Sequence, residues 1–188
     1  MKRLLCLLLV MCLLCGCSPQ LGKTEGGMEW NRSAWVSVGP LLGIERTIGE
    51  LTFAETLDDS GVYYGSWVTD STQTYTNADG EQTPVYSAMA SVMVQEGGAQ
   101  ATMDSWLKDA AEYYDFSEPV EHIVGTQTFI LRKTTPKADS PYNHGVFAAA
   151  IHGDFAISVE LMCLPDSFVD AEALMLRFLR GFHYRALD

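Results

Sequence analysis

The sequence predicts an α+β domain: an antiparallel β-sheet of about six to eight strands covered by two main helices, an α/β/α sandwich. Three observations lead there. From Leu51 onward, short runs alternate apolar and polar residues with period two and are broken by turns rich in Asp, Asn and Gly. Two stretches, one from Ala99 and one after Ser167, switch to helical spacing. In the long run Pro84 to Gln95, Tyr86, Ala88, Ala90, Val92 and Val94 share one face while Met89 and Met93 fall on the other, so both faces need cover.

The chain begins with a segment of another kind. Lys2 and Arg3 precede Leu4 to Cys15, twelve residues without a charge, which is the layout of a secretory signal. As a helix rising ~1.5 Å per residue it would reach ~18 Å, short of the ~30 Å hydrocarbon core of a bilayer. Leu14-Cys15-Gly16-Cys17 then resembles the lipobox of bacterial lipoproteins, in which a small residue precedes the cysteine that is lipidated and becomes the first residue after cleavage. The resemblance implies a diacylglyceryl group on Cys17, often with a further acyl chain on the new amine, and two or more chains hold a protein stably on a membrane. It divides the chain into a signal peptide over 1–16, a lipidated cysteine and tether over 17–29, and one globular domain over 30–188. The implied location is the bacterial cell envelope, on the outer face of the cytoplasmic membrane or on the outer membrane.

Loss of residues 1–16, which carry Lys2, Arg3 and no acid, takes the net charge from −12 to −14 and leaves 172 of 188 residues, enough for one domain with a core. So acidic a surface repels nucleic acid and anionic headgroups, which leaves lipid as the membrane anchor. Of five cysteines, Cys6, Cys12 and Cys15 leave with the signal and Cys17 takes lipid; Cys163 then stands alone, in phase with Phe155, Ile157, Val159 and Leu161 as a buried thiol.

The polar, glycine-bearing stretch Ser18 to Glu29 reads as the tether. Ala34 to Val38 is a candidate edge strand before Gly39-Pro40, and the sequon Asn31-Arg-Ser33 means little in a bacterial setting. Leu51 to Leu57 and Val62 to Val68 pair as strands across the turn Asp58 to Gly61; Asn77 to Gly80 makes a second turn. Gly97-Gly98 ends the long strand, and Met103, Trp106, Leu107, Ala110 and Tyr114 form the apolar stripe of the first helix. Strands follow over Val120 to Val124 and Thr126 to Lys133, then a polar loop from Thr134 to His144. Val146 to Ile151 and Phe155 to Leu164 flank His152-Gly-Asp154 as a hairpin. Ser167, three residues before Asp170, suits a variant capping box for a helix that buries Phe168, Ala171, Leu174, Met175 and Phe178 and stops near Gly181.

From Gly145 onward, the hairpin around His152-Gly-Asp154, the strand FAISVEL and the helix running into Phe182-His-Tyr184 resemble the closing half of the PsbP-like family of extrinsic photosynthetic subunits and their non-photosynthetic bacterial relatives. The resemblance covers about forty residues. It implies a binding or assembly role rather than catalysis, and none of that family's binding residues maps onto this chain.

No metal or cofactor motif is present: His122, His144, His152 and His183 are scattered, and there is no H-E-x-x-H. Asn77-Ala-Asp-Gly-Glu81 lacks the leading aspartate and distal glutamate of a calcium loop. His144, His152 and Asp154 are a candidate polar site if loop and turn meet at one end of the sheet. Tyr63, Tyr64, Trp67, Tyr75 and Tyr86 concentrate aromatic groups in the first half of the sheet, and those not in the core are candidates for a ligand or partner face. Two functions remain open: an envelope-anchored binding module for a protein or small molecule, using the aromatic face, and an extracytoplasmic hydrolase or other enzyme using the His/Asp group.

Overall fold

The computed structural model describes residues 34–76, 80–138, 140–165 and 170–185. The signal segment, Cys17 and the tether lie outside them, as do residues 77–79 of the second turn and Ser167 and Phe168 of the expected capping segment.

Strands dominate, and every pairing between them is antiparallel. In chain order they are β1 (Trp35–Val38), β2 (Leu42–Glu45), β3 (Thr47–Ile48), β4 (Leu51–Asp59), β5 (Val62–Val68), β6 (Ser71–Thr76), β7 (Gln82–Tyr86) and β8 (Ala88–Glu96). Helix α1 (Ala99–Tyr113) follows, then β9 (Tyr114–Phe116), β10 (Val120–Val124), β11 (Gln127–Pro136), β12 (His144–His152) and β13 (Phe155–Cys163). Helix α2 (Ala171–Arg180) and β14 (Phe182–Tyr184) close the described chain. The main sheet has nine strands, in the order β10-β11-β12-β13-β8-β5-β4-β3 with β9 beside β11. A three-stranded sheet β1-β2-β14 and the hairpin β6–β7 complete the fold.

The expected sandwich holds only in outline. The two faces of the main sheet do carry one helix each, since Met175, Phe178 and Leu179 of α2 join Val92, Ile157 and Leu161 in one core cluster while Ala99 and Met103 of α1 join Phe147, Ala149 and Ala156 in another. The helices are a minor share, fifteen and ten residues, and the α2 face is covered as much by β1 and β2.

Trp67 is the centre of the larger core. Its ring is wholly buried, its Nε1–H donates to the carbonyl of Glu45 at 2.9 Å, and it meets Phe53 and Phe178 edge-on at 5.5 and 5.3 Å. Phe178 meets Phe182 at 5.6 Å, and Phe182 meets Phe129 at 6.2 Å. Edge-to-face packing matches positive ring edges to negative faces. The run therefore links β4, β5, α2, β14 and β11 through contacts with a preferred geometry as well as buried area.

The long strand expected over Pro84 to Gln95 is two. Chain pairing changes at Ser87, where β7 belongs to the hairpin with β6 and β8 to the main sheet. Gly97 and Gly98 take positive φ of 91° and 58°, the left-handed region that glycine enters without a Cβ penalty, and so turn β8 directly into α1. At the other helix the cap is Asp170: its carboxylate accepts from the backbone N–H groups of Glu172 and Ala173, both at 3.1 Å, satisfying two first-turn donors. β10 lies at the outer end of the main sheet, with Ile123 78% and Val120 53% exposed.

Replacing Trp67 by Ala should cost about 3–5 kcal/mol, the usual range for deleting a large buried aromatic ring. The check is urea unfolding, where the midpoint falls while the slope stays unchanged.

Candidate functional site

The hairpin β6–β7 stands apart from the main sheet and closes one side of a cleft of about 320 Å³. Its base is the buried Val85, with half-buried Ser87, Leu164 and Pro141 above it; Gln73, Thr74, Tyr75 and Pro165 form the exposed rim. Backbone bonds hold these segments in place. Leu164 N–H donates to Ser87 O at 3.0 Å, and Tyr86 N–H donates to the hydroxyl of Tyr142 at 3.3 Å. Burial raises the pKa of that phenol, so the group stays protonated. In β6, a register shift between Ser71 and Gln73 is bridged by the Ser71 hydroxyl, which lies 3.1 Å from Gln73 O and 3.2 Å from Val85 O. The cleft draws on segments far apart in the chain, which no spacing in the sequence announces.

The five aromatic candidates separate. Trp67 is core, and Tyr63 packs beside it on the same face, its ring pressed against Gly39. Tyr64 points to the opposite face, where its hydroxyl lies 2.9 Å from Ser91 Oγ. Tyr86 is half-buried beside the cleft, and Tyr75, 36% exposed, is the member of the five that lines it.

His144, His152 and Asp154 do not converge. His144 opens β12 opposite Cys163 and His152 ends it opposite Phe155, a separation of eight strand residues or about 27 Å at ~3.4 Å each. The expectation fails because the intervening strand is extended and carries its two histidines to opposite ends. Each has local partners instead. His144 Nδ1 lies 2.6 Å from Asn143 Oδ1. The Gln127 amide donates to Ile151 O at 3.1 Å, which aims its oxygen at His152 Nδ1, 3.0 Å away, and His152 stacks on Tyr184 at 4.7 Å. Among the described residues no group of three or more His, Cys, Asp or Glu could hold a metal ion. Cys163 is buried, and burial pushes its thiol up to about 11, so it is a poor nucleophile.

One polar group that the sequence reading did not single out is Glu160. It shares a cross-strand row with Phe147, Arg132 and Ser91, on the sheet face that α1 covers. Its Oε1 is enclosed with no hydrogen-bond partner, and burial raises its pKa against the opposing effect of a bond from Tyr114. The signal was available: an acid between Val159 and Leu161, on a face otherwise made of Ala156, Ser158 and Met162. Because the folded pKa lies above the unfolded one, the unfolded chain loses its proton first. Stability falls as pH rises from about 4.5 through the folded pKa. Glu160→Gln should therefore melt higher than the parent at pH 7 and match it near pH 4, as thermal unfolding at the two pH values would read.

No protein-family model and no curated protein matches the chain. Among solved structures, a protein of Bacteroides thetaiotaomicron known from a crystal structure is similar with a TM-score of 0.48 and 11% identity over 81% of this chain and 48% of that one, so this chain spans about half its length. The solution structure of cyanobacterial PsbP (CyanoP) from Synechocystis sp. PCC 6803 is similar with a TM-score of 0.40 and 9% identity, over 74% of this chain and 95% of that one.

Proposed function

We propose that this chain is a lipid-anchored binding module of the bacterial envelope, moored through Cys17 and taking a small ligand or a partner's side chains at the cleft beside Tyr75. The observation that carries the binding role is the cleft itself: a concavity with a buried apolar base, an aromatic ring at the rim and uncharged polar groups around it, the usual composition of a ligand site. The anchor rests on the apolar run that ends in Leu14-Cys15-Gly16-Cys17. Two or more acyl chains would hold an acidic domain that has no electrostatic attraction to anionic lipid.

Membrane fractionation of a bacterium expressing the chain tests the anchor. The parent should sediment with membranes and label with a fatty-acid analogue, while Cys17→Ala should lose the label and move to the soluble extracytoplasmic fraction. A Cys17→Ala protein that stays fully with the membrane overturns the lipid anchor.

A further inference from the structure

We infer that the cleft beside Tyr75 binds a neutral saccharide, an inference that rests on the binding-module reading and narrows it to one ligand class. The chain has 24 acidic and 12 basic residues, yet none of the described residues lining the cleft is charged. Among the described residues nothing there offers a counter-charge to a phosphate, a carboxylate or an amine stripped of its water. A wholly apolar ligand fails for the opposite reason. Covering the Gln73 amide and the Ser87 hydroxyl without giving them partners leaves each enclosed group unpaired, at the cost of its lost hydration.

A sugar ring meets both demands. Its C–H groups make an apolar face that lies on an aromatic ring, and its hydroxyls project from the rim as paired donors and acceptors. Tyr75 offers the ring, partly open to solvent and with its own polar tip. Gln73 and Ser87 offer both donors and acceptors at the edges. The volume of about 320 Å³ is at the small end for ligand sites, room for about one or two pyranose rings. The walls are also set in advance: Pro141 and Pro165 have fixed φ, and the bonds from Leu164 N–H to Ser87 O and from Tyr86 N–H to the Tyr142 hydroxyl tie the segments together. Less ordering is then lost on binding, which matters for a ligand whose exchange of water for protein contacts yields little net energy.

Ligand-observed saturation-transfer NMR on the full chain in phosphocholine micelles tests this, with maltose, cellobiose and diacetylchitobiose as neutral probes. Glucuronate, glucosamine and cyclohexanol serve as anionic, cationic and apolar controls. A neutral disaccharide should bind with a dissociation constant on the order of 1 mM. Tyr75→Ala should weaken it about ten-fold and Tyr75→Phe should largely retain it. Gln73→Ala, at the exposed rim, gives an independent loss, and unchanged melting temperatures show that the variants are folded. If the neutral sugars give no signal that depends on Tyr75 while a charged or apolar control does, the saccharide assignment is overturned and the binding-module reading stands. If no probe of any class depends on Tyr75 or Gln73, both are overturned.

Discussion

A continuous series of edge-to-face rings, Phe53 to Trp67 to Phe178 to Phe182 to Phe129, sets the frame on which the other elements sit. It crosses one face of the main sheet from β4 to β11 and takes in α2 and β14 on the way. Because such rings prefer particular angles as well as contact, the series fixes how α2 lies on the sheet, and the bond from Trp67 to the Glu45 carbonyl fixes where the chain passes from β2 to β3. The cleft lies outside this frame. Its walls come from the β6–β7 hairpin and from loop residues at 141 and 164–165, so they can change without disturbing the core.

The opposite face of the sheet is built differently. Its floor under α1 is Ala149, Ala156 and Phe147, and of the residues in α1 only Ala99 and Met103 are buried. The helix begins at Gly98 without a side-chain cap, and it has no acid in its first turn and no base in its last to answer the helix dipole. Trp106, Leu107 and Ala110 are only partly buried against that floor, whereas α2 buries Met175, Phe178 and Leu179, so α1 is the helix expected to open first when the protein is stressed.

Elements long enough to repeat their pattern were legible in the sequence. The alternation in Ala88 to Val94 and Phe155 to Cys163, the turns at Gly61 and Gly153, and the stripe of Met103, Trp106 and Leu107 all correspond to the strands, turns and helix found. Three-residue strands such as β9 and β14 contain too few alternations to register, and β7 ran on into β8 because the apolar phase continues through Ser87 even though the pairing partner changes. For the aromatic residues, type alone did not give the face. Parity did, since Trp67 lies opposite Ala90 and Tyr63 opposite Val94, both on the buried side. The cleft was not legible, because four separate segments meet there only after folding; Tyr75 was named for its ring, and nothing in its neighbours pointed to Pro141 or Leu164.

The outer strand β10 has a consequence for how the molecule behaves in a crowd. Among the described residues one side of its backbone ladder has no neighbour, and Ile123 projects apolar surface beside it. Such an edge invites strand addition by another chain. Pro119 just before it withholds one amide donor, Glu121 adds a charge that an identical edge would repel, and five residues give an incoming strand little to zip along. Colloidal stability in this protein therefore depends on a small guard at one margin, and a neutralised Glu121 would leave solubility hostage to concentration.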